Sequence, residues 1–383
     1  MVDFTLNAEQ LALRELAHDF AEREIRPVAW DYDRDGTFPE EIIAKAWGLG
    51  LMNCQIPARY GGAETSYLDG VVIGEELAWG CSGIQSSIGC NALAVAALTV
   101  AGSEQLKKRY LERLAQEPLL AAFCLTEPGA GSDVGAITTR AVRSGEKYVI
   151  NGSKCFITNG GYASFYVVAA KTDPDAGHRG ISCFVVPREA GVLVGGHEDK
   201  MGQRASNTAT VTFPDVEIPV ENRLGDEGDG FRIAMLTLDR TRPGVAAIAT
   251  GIARAAFEFA VGHAQQRIQF GVPIARHQAI QFMLADMATE IEAARLLTWK
   301  SAVLLDQAQS NTLISSHAKR FAADVAMKVT TDAVQVYGGY GFMKDYPVEK
   351  LMRDAKIMQL YEGTAQIQRI VIAREVLKAA SPP

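Results

Sequence analysis

The chain contains no C-x-x-C pair. Its six cysteines, Cys54, Cys81, Cys90, Cys124, Cys155 and Cys183, are scattered, which excludes a zinc knuckle and a dithiol redox motif. They are expected to be reduced and half buried. The histidines His18, His178, His197, His263, His277 and His317 fall in no H-E-x-x-H or similar ligand spacing, so no metal is expected. There is no basic block and no interleaving of basic with aromatic residues. With Lys+Arg 38 against Asp+Glu 45 the net charge is -7, which argues against nucleic acid as a partner. An anionic ligand must then be met by a few placed Arg or Lys side chains and backbone amides. The most apolar stretch, residues 92–101, is far short of the ~20 residues that span a bilayer. Met1-Val2-Asp3-Phe4 lacks the charged start and apolar core of a signal peptide. The protein is therefore expected to have no membrane span and to be cytoplasmic. No internal repeat or low-complexity tract occurs.

A length of 383 residues exceeds a single hydrophobic core and predicts two or three domains. The beginning reads as helical. Asn7-Ala8-Glu9-Gln10 forms a capping signature ahead of Leu13, Leu16 and Phe20 on one face, and Pro27 is expected to limit that helix. Thr37-Phe38-Pro39-Glu40 reads as a second capping box, for a helix ending at Gly48 and Gly50, and Ser66 and Ser103 are candidate caps of later helices. Residues 1–117 thus form an N-terminal α-helical domain. From Pro118 the texture changes to β-branched and aromatic runs. Tyr148-Val149-Ile150 and Cys155-Phe156-Ile157-Thr158 flank Asn151-Gly152, a predicted hairpin turn. Further strands are expected at 165–170, 181–186, 208–213 and 216–218, bounded by Pro187, Gly191, Pro214 and Pro219. Their spacing suits a small barrel or sandwich over residues 118–230. After Gly225-Asp226-Glu227-Gly228-Asp229-Gly230, long periodic segments at 231–262, 277–309 and 313–337 predict an antiparallel helical bundle over residues 231–383. That bundle is interrupted at Gly338-Gly339-Tyr340-Gly341 and closed by a periodic tail, 366–380.

Two segments point to chemistry. In Tyr361-Glu362-Gly363-Thr364-Ala365-Gln366-Ile367-Gln368 a lone carboxylate sits in a glycine turn before an amphipathic helix, the setting of a candidate base. A glutamate there also serves simply as a partner of the helix macrodipole. Thr126-Glu127-Pro128-Gly129-Ala130-Gly131-Ser132-Asp133 offers backbone N–H groups and hydroxyls without steric cover, suited to phosphate or flavin edges. Together they suggest a cofactor enzyme.

These segments, with Phe156-Ile157-Thr158-Asn159-Gly160-Gly161, Met201-Gly202-Gln203-Arg204, Asp239-Arg240-Thr241-Arg242-Pro243, Arg267-Ile268-Gln269-Phe270-Gly271, His277-Gln278-Ala279-Ile280, the Gly338 break and Pro347-Val348-Glu349-Lys350-Leu351-Met352-Arg353-Asp354-Ala355-Lys356, occur in one order along nearly the whole chain. In that order and wording the chain resembles the acyl-CoA dehydrogenase family, within it the medium-chain branch. The resemblance implies an α+β fold: an N-terminal α-helical domain, a central β-barrel-like domain and a C-terminal four-helix bundle, assembled as a homotetramer that is a dimer of dimers.

The cofactor implied is FAD, held between the β domain and the bundle. By residue-by-residue carry-over, Phe123, Leu125, Thr126, Gly131 and Ser132 touch the flavin ring and pyrophosphate, and Phe156, Ile157 and Thr158 line the flavin, with the Thr158 hydroxyl near N5. Phe156 offers the apolar face a flavin needs, and Thr126, Thr158 and backbone amides offer donors. Arg267, Phe270, Gln278, Gln335, Gly338 and Gly339 are implied to reach the FAD of a neighbouring subunit, and Thr364 and Gln366 that of their own. Arg267 read alone is a solvated helix charge. Ser132, Asp239 and Arg242 are implied to meet the CoA part of an acyl-CoA substrate, with Glu362 and Gly363 at the acyl chain. Glu362 then takes the α-proton, while the carbonyl is bonded by the Glu362 main-chain N–H and a ribityl hydroxyl. The β-hydride passes to flavin N5, and an electron-transfer flavoprotein accepts the electrons.

One branch of the family carries its glutamate at the position of Thr241, which is no base at neutral pH. Glu362 is left as the assignment, and the isovaleryl and long-chain mitochondrial types are disfavoured. Trp79 stands near the pocket position where the glutaryl-specific branch has an arginine, and residues 77–101 hold no Lys or Arg, which disfavours a carboxylate-ended substrate. Where medium-chain relatives carry a glutamate deep in the acyl pocket this chain has Gly89. Either the pocket runs deeper there, for octanoyl to dodecanoyl chains, or neighbouring side chains fill the space. The alternatives to a dehydrogenase are an oxygen-using acyl-CoA oxidase, disfavoured because those relatives usually carry an extra C-terminal domain, and a non-catalytic flavin-binding subunit.

Overall fold

The computed structural model describes residues 4–380, so the Met1-Val2-Asp3 start lies outside the described residues. The N-terminal part holds α1 (Ala8–Phe20), α2 (Ala29–Asp35), α3 (Glu40–Gly48), α4 (Tyr67–Gly89), α5 (Asn91–Ala101) and α6 (Glu104–Gln116). Eight strands follow: β1 (Ala121–Cys124), β2 (Arg140–Ser144), β3 (Lys147–Thr158), β4 (Phe165–Lys171), β5 (Ile181–Pro187), β6 (Leu193–His197), β7 (Thr208–Pro219) and β8 (Arg223–Leu224). The long α7 (Gly230–Gln266) leads through the small hairpin of β9 (Ile268–Gln269) and β10 (Val272–Pro273) to α8 (Gln278–Asp306) and α9 (Thr312–Tyr337). The chain closes with α10 (Val348–Lys356) and α11 (Ala365–Ala380).

Local side-chain caps open three of the N-terminal helices, α1, α4 and α6. The Asn7 side chain accepts the Gln10 N–H at 2.9 Å and Gln10 returns an acceptor to the Asn7 N–H at 3.1 Å, the reciprocal box expected there. Ser66 caps α4 in the same way with Asp69, and Ser103 caps α6. Two expectations are corrected. Pro27 does not end the first helical region: a π turn (Ala21–Ile25) runs into a 3-10 turn (Arg26–Val28), where proline sits in the first turn and its missing N–H costs nothing, and α2 continues. The Thr37 capping box does not form. Pro39 itself occupies the cap position of α3, with no side-chain hydrogen bond, and Thr37 falls two residues outside it.

The strands form one sheet in the order β6-β7-β3-β2-β4-β5-β8, with β1 parallel to β4. β2 meets β4 only at Arg140 and Lys171, and there the sheet passes from one wall of the domain to the other. Between the walls lies a core of Tyr148, Ile150, Tyr166, Phe184, Phe213 and Ile218. The opposite face of β4 and β5 packs Phe165, Val167, Cys183 and Val185 against α5 and α6, so these two strands are buried on both sides. Asn151-Gly152 is not the hairpin turn that its dipeptide signals. β3 runs straight through it, and the turn lies at Gly145 (φ +60°) between β2 and β3. Gly152 is instead a bulge (φ +151°) where a Cβ would stand 2.4 Å from the Thr139 hydroxyl, so glycine is required by a close crossing rather than by a turn. The expected strands 208–213 and 216–218 are one strand, β7, bent at Asp215 (φ +52°). All six cysteines are buried free thiols, deeper than the half burial expected of them.

α7 is the one helix among the described residues long and apolar enough by itself to cross a bilayer, and 67% of its most apolar window is buried inside the protein. It packs on α4, α8 and α9 around an apolar core that runs from α1 to α10. At the centre of the molecule the carboxylate of Asp354, 0% exposed, accepts from Ser82 on α4 (3.0 Å), from Lys350 on α10 (2.7 Å) and from the Gln203 N–H (2.5 Å). Beside it Arg353 pairs with Asp33 at 2.7 Å and donates to the Met201 carbonyl at 3.0 Å.

A second buried charge pair shapes the loop after β1. The Lys154 ammonium on β3 bonds Glu127 at 2.8 Å and the Leu125 carbonyl at 3.1 Å. Glu127 also accepts the Thr138 N–H and hydroxyl and the Thr139 N–H. Burial pushes the Glu127 carboxyl up, but Lys154 and these donors outweigh it and hold it at about 2. Lys154→Met should therefore cost about 3–5 kcal/mol of unfolding free energy, because it leaves a buried carboxylate unpaired. The folded pKa of Glu127 lies below its ordinary value of 4.5, so its stabilisation is complete above about pH 4.5 and is lost as pH falls toward 2. Urea unfolding of both proteins between pH 3 and 7 checks this. Equal unfolding free energies at pH 7 would show that the pair does not hold the loop.

Candidate functional site

A cavity of about 690 Å³ opens between the strands and α4, α5 and α7. Phe123, Leu125, Thr126, Gly131, Ser132, Phe156, Ile157 and Thr158 line one side, and Thr241, Arg242, Glu362 and Gly363 line another. These are all residues singled out from the sequence, brought together from four separate segments. Phe156 stands in a left-handed backbone conformation (φ +58°) with 67% of its surface uncovered. An aromatic face so presented, next to Thr126 and Thr158, fits a flat heteroaromatic ring. Nothing lies within 4 Å of where a Cβ would stand on Gly129 or Gly131, so the loop backbone is open to a close-lying ligand.

Glu362 lies in the turn between α10 and α11, and both it (φ +51°) and Gly363 (φ +86°) are left-handed. Its carboxylate accepts the Thr241 hydroxyl at 2.8 Å. Burial raises its pKa above the usual carboxylate value, and the Thr241 bond and the positive charges of Arg242 and Lys319 only partly offset that. A half-buried carboxylate of raised basicity on a cavity wall is suited to accept a proton. Its main-chain N–H has no hydrogen-bond partner among the described residues and is available to a ligand.

Thr241 and Arg242 directly precede Pro243, which sits inside α7. A proline has no N–H for the carbonyl four residues back, and that freed Asp239 carbonyl is taken by Asn311 Nδ2 at 3.0 Å. Asn311 in turn accepts the Ser301 hydroxyl at 3.0 Å. The Asp239 carboxylate accepts from Arg242 and, at 2.6 Å, from Thr312. Burial lowers the pKa of Arg242, with Asp239 and Glu362 opposing that shift.

Other candidate residues lie elsewhere. Arg267, Gly338 and Gly339 border a separate cleft of about 600 Å³ with His263 and Tyr337. Phe270 is 94% exposed, and Gln278, Gln335 and Gln366 are exposed on α8, α9 and α11. Thr364 accepts the Ile367 N–H at the start of α11. Trp79 is not on the cavity wall. Its indole donates to Glu258 at 2.6 Å and its ring stacks under the Arg26 guanidinium. Gly89 does line the cavity, but the space over it is shared: the Gln85 amide nitrogen lies 3.2 Å from where a Cβ would be, and the Gln85 Oε1 has no partner. Gln85, Tyr361 and Lys319 were not foreseen as site residues. Lys319 stands beside Arg320 and two residues after His317, so no local pattern set it apart.

Family models of the acyl-CoA dehydrogenase N-terminal, middle and C-terminal domains match residues 7–118, 122–216 and 228–377. The probable medium-chain specific acyl-CoA dehydrogenase 2, mitochondrial, of Caenorhabditis briggsae is 46% identical over 381 residues, 98% of this chain and 92% of its own. Cyclohexane-1-carbonyl-CoA dehydrogenase of Geobacter metallireducens is 45% identical over 382 residues, 99% of this chain and 100% of its own. The structure of butyryl-CoA dehydrogenase from Megasphaera elsdenii superposes with a TM-score of 0.96 at 42% identity, covering 98% of this chain and 100% of that one.

Removing the Thr241 hydroxyl in Thr241→Val should raise the Glu362 pKa further, since that hydrogen bond favours the ionised carboxylate. The infrared carboxylate band assigned by difference against Glu362→Gln follows the titration. A midpoint unchanged in Thr241→Val would remove Thr241 as the partner that lowers it.

Proposed function

Because the chain belongs to the acyl-CoA dehydrogenase family of flavin oxidoreductases, we propose that it oxidises a saturated acyl-CoA to the trans-2-enoyl-CoA, with FAD as its flavin and Glu362 as the base. The observation that carries this reading is the Glu362 carboxylate, of raised pKa and bonded to Thr241, on the same cavity wall system as Phe156 and Thr158. Phe123, Leu125, Thr126, Gly131, Ser132, Phe156, Ile157 and Thr158 hold and cover the flavin. When bound, the flavin supplies the acceptor for the β-hydride. Glu362 removes the α-proton, and its unpartnered N–H donates to the thioester carbonyl as negative charge develops there. Arg242, fixed by Asp239, meets the CoA portion together with Ser132. A positive group in this position complements phosphate and thioester oxygen, which a protein of net charge -7 does not otherwise attract.

The exposed apolar side chains Phe270, Phe282 and Phe342 on the C-terminal helical part support self-association, and the assembly proposed is a homotetramer. In that assembly Arg267, Phe270, Gln278, Gln335, Gly338 and Gly339 reach the cofactor of a neighbouring subunit. An electron-transfer flavoprotein is the proposed acceptor. Oxygen as the acceptor would make the protein an oxidase, and re-oxidation under air against re-oxidation by that flavoprotein separates the two.

Glu362→Gln keeps the size of the side chain but not its ability to accept a proton. It should retain flavin and bind acyl-CoA, while anaerobic bleaching of the flavin by octanoyl-CoA slows by several orders of magnitude. Bleaching at a rate near wild type would transfer the role of base to another group. The acyl chain is proposed to be of medium length, on the ground that Gly89 lines the cavity without a side chain and that the nearest atoms to where its Cβ would stand belong to the Gln85 amide. Each buried methylene contributes about 0.8 kcal/mol, so four more give about 3 kcal/mol, over a hundredfold in kcat/KM. Octanoyl- to dodecanoyl-CoA should be used better than butanoyl-CoA, and Gly89→Glu, which must displace the Gln85 amide, should shift preference to shorter chains. A wild-type optimum at butanoyl-CoA, or an unchanged profile in Gly89→Glu, would show that Gly89 does not set the pocket floor.

A further inference from the structure

Lys319 on α9 is fully buried, and the one hydrogen-bond acceptor of its ammonium among the described residues is a backbone carbonyl: Nζ donates to Gly363 O at 2.7 Å. A buried charge is expected to face an opposite charge at bonding distance. Here it faces the turn that carries Glu362. That turn needs holding, because a non-glycine residue is left-handed in it and persists there only when its surroundings over-determine it. Gln368 on α11 supplies a second restraint, its amide nitrogen donating to the carbonyls of Glu362 (3.2 Å) and Gly363 (3.1 Å). The two restraints come from different helices and converge on consecutive peptide units.

We propose that Lys319 is a positioning residue whose ammonium clamps the Gly363 carbonyl, fixing the left-handed Glu362–Gly363 turn so that the carboxylate faces the cavity. The proposal rests on Glu362 being the base of the dehydrogenation. The groups facing Lys319 are the Glu362 carboxylate from the turn, the Arg242 guanidinium from α7 and Asp324 from α9 itself. Burial and Arg242 lower its pKa to about 8, against the opposing pull of Glu362 and Asp324. At neutral pH the ammonium therefore still carries its charge, and that charge favours the ionised form of Glu362.

The test is Lys319→Met in the holoprotein. With flavin content matched to wild type, kcat for octanoyl-CoA should fall about 10- to 100-fold with a smaller change in KM. The acidic limb of the kcat–pH profile should move up by about one unit, which a purely structural loss would not do. A crystal structure of the variant should show Glu362 out of its left-handed conformation. A folded Lys319→Met with unchanged kcat, unmoved limb and intact turn overturns the proposal. Should Lys319→Met not fold, Lys319→Gln removes the charge and shortens the donor arm by one atom, and an unchanged kcat with an intact left-handed turn in that variant overturns it equally. A wild-type protein inert toward every acyl-CoA would sink the dehydrogenation reading instead, and the turn in the variant crystal would still decide the clamp.

Discussion

The carboxylate of Asp354 is the joint on which the three parts of the molecule meet. It has no exposure to solvent, and its three donors come from α4, from the segment before β7 and from α10. A charge buried so deeply is tolerated only when its lone pairs are occupied by well-placed donors, so each contributing element is held to its register by the others. Removing any one donor would leave the others around an unsatisfied ion. The Arg353–Asp33 pair and the Arg353 contact to the Met201 carbonyl extend the same joint to α2. Eight residues after Asp354 comes Glu362, so the position of the base is inherited from this seam through one short helix end and a turn.

A similar economy operates inside α7. Helix interiors exclude proline because it orphans a carbonyl, yet Pro243 is placed where that carbonyl is used. Asn311 satisfies it and so draws the start of α9 to the middle of α7. The same stretch presents Thr241 to Glu362 and Arg242 to Asp239. A defect in the backbone ladder thus becomes a fixed relation between two helices at the cavity wall.

Much of this arrangement was legible in the chain itself. Caps such as Asn7–Gln10, Ser66 and Ser103 are local hydrogen-bond patterns, and they form as read because no distant contact competes with them. The readings that failed were those in which tertiary packing overrode a local signal. Asn151-Gly152 has the dipeptide of a tight turn, but its glycine answers to Thr139 on a neighbouring segment, which no local pattern encodes. Trp79 lies six residues from Gln85 in sequence, which already turns the two about 120° apart on a helix, so Trp79 meets Glu258 and Arg26 while Gln85 lines the cavity. The residues around the cavity could be gathered by resemblance, since they occur in recognisable runs. Lys319 could not, because its role depends on a carbonyl 44 residues away and a backbone atom leaves no mark in a sequence.

The charges around Glu362 are arranged so that none pairs with it directly. Arg242 turns one guanidinium nitrogen, Nη1, to Asp239, and Lys319 gives its ammonium to the Gly363 carbonyl, so the one side-chain donor to the carboxylate among the described residues is the neutral Thr241 hydroxyl. A direct ion pair would lower the pKa of the carboxylate and weaken it as an acceptor for a proton bound to carbon. With no cation near, burial would raise the pKa further and disfavour the ionised form. Cations held at one remove meet both demands: they keep the ionised form accessible while burial keeps it basic. The left-handed backbone at Glu362, which costs of order 1–3 kcal/mol, follows from the same requirement, since it turns the side chain toward the cavity while the turn's carbonyls face Lys319 and Gln368.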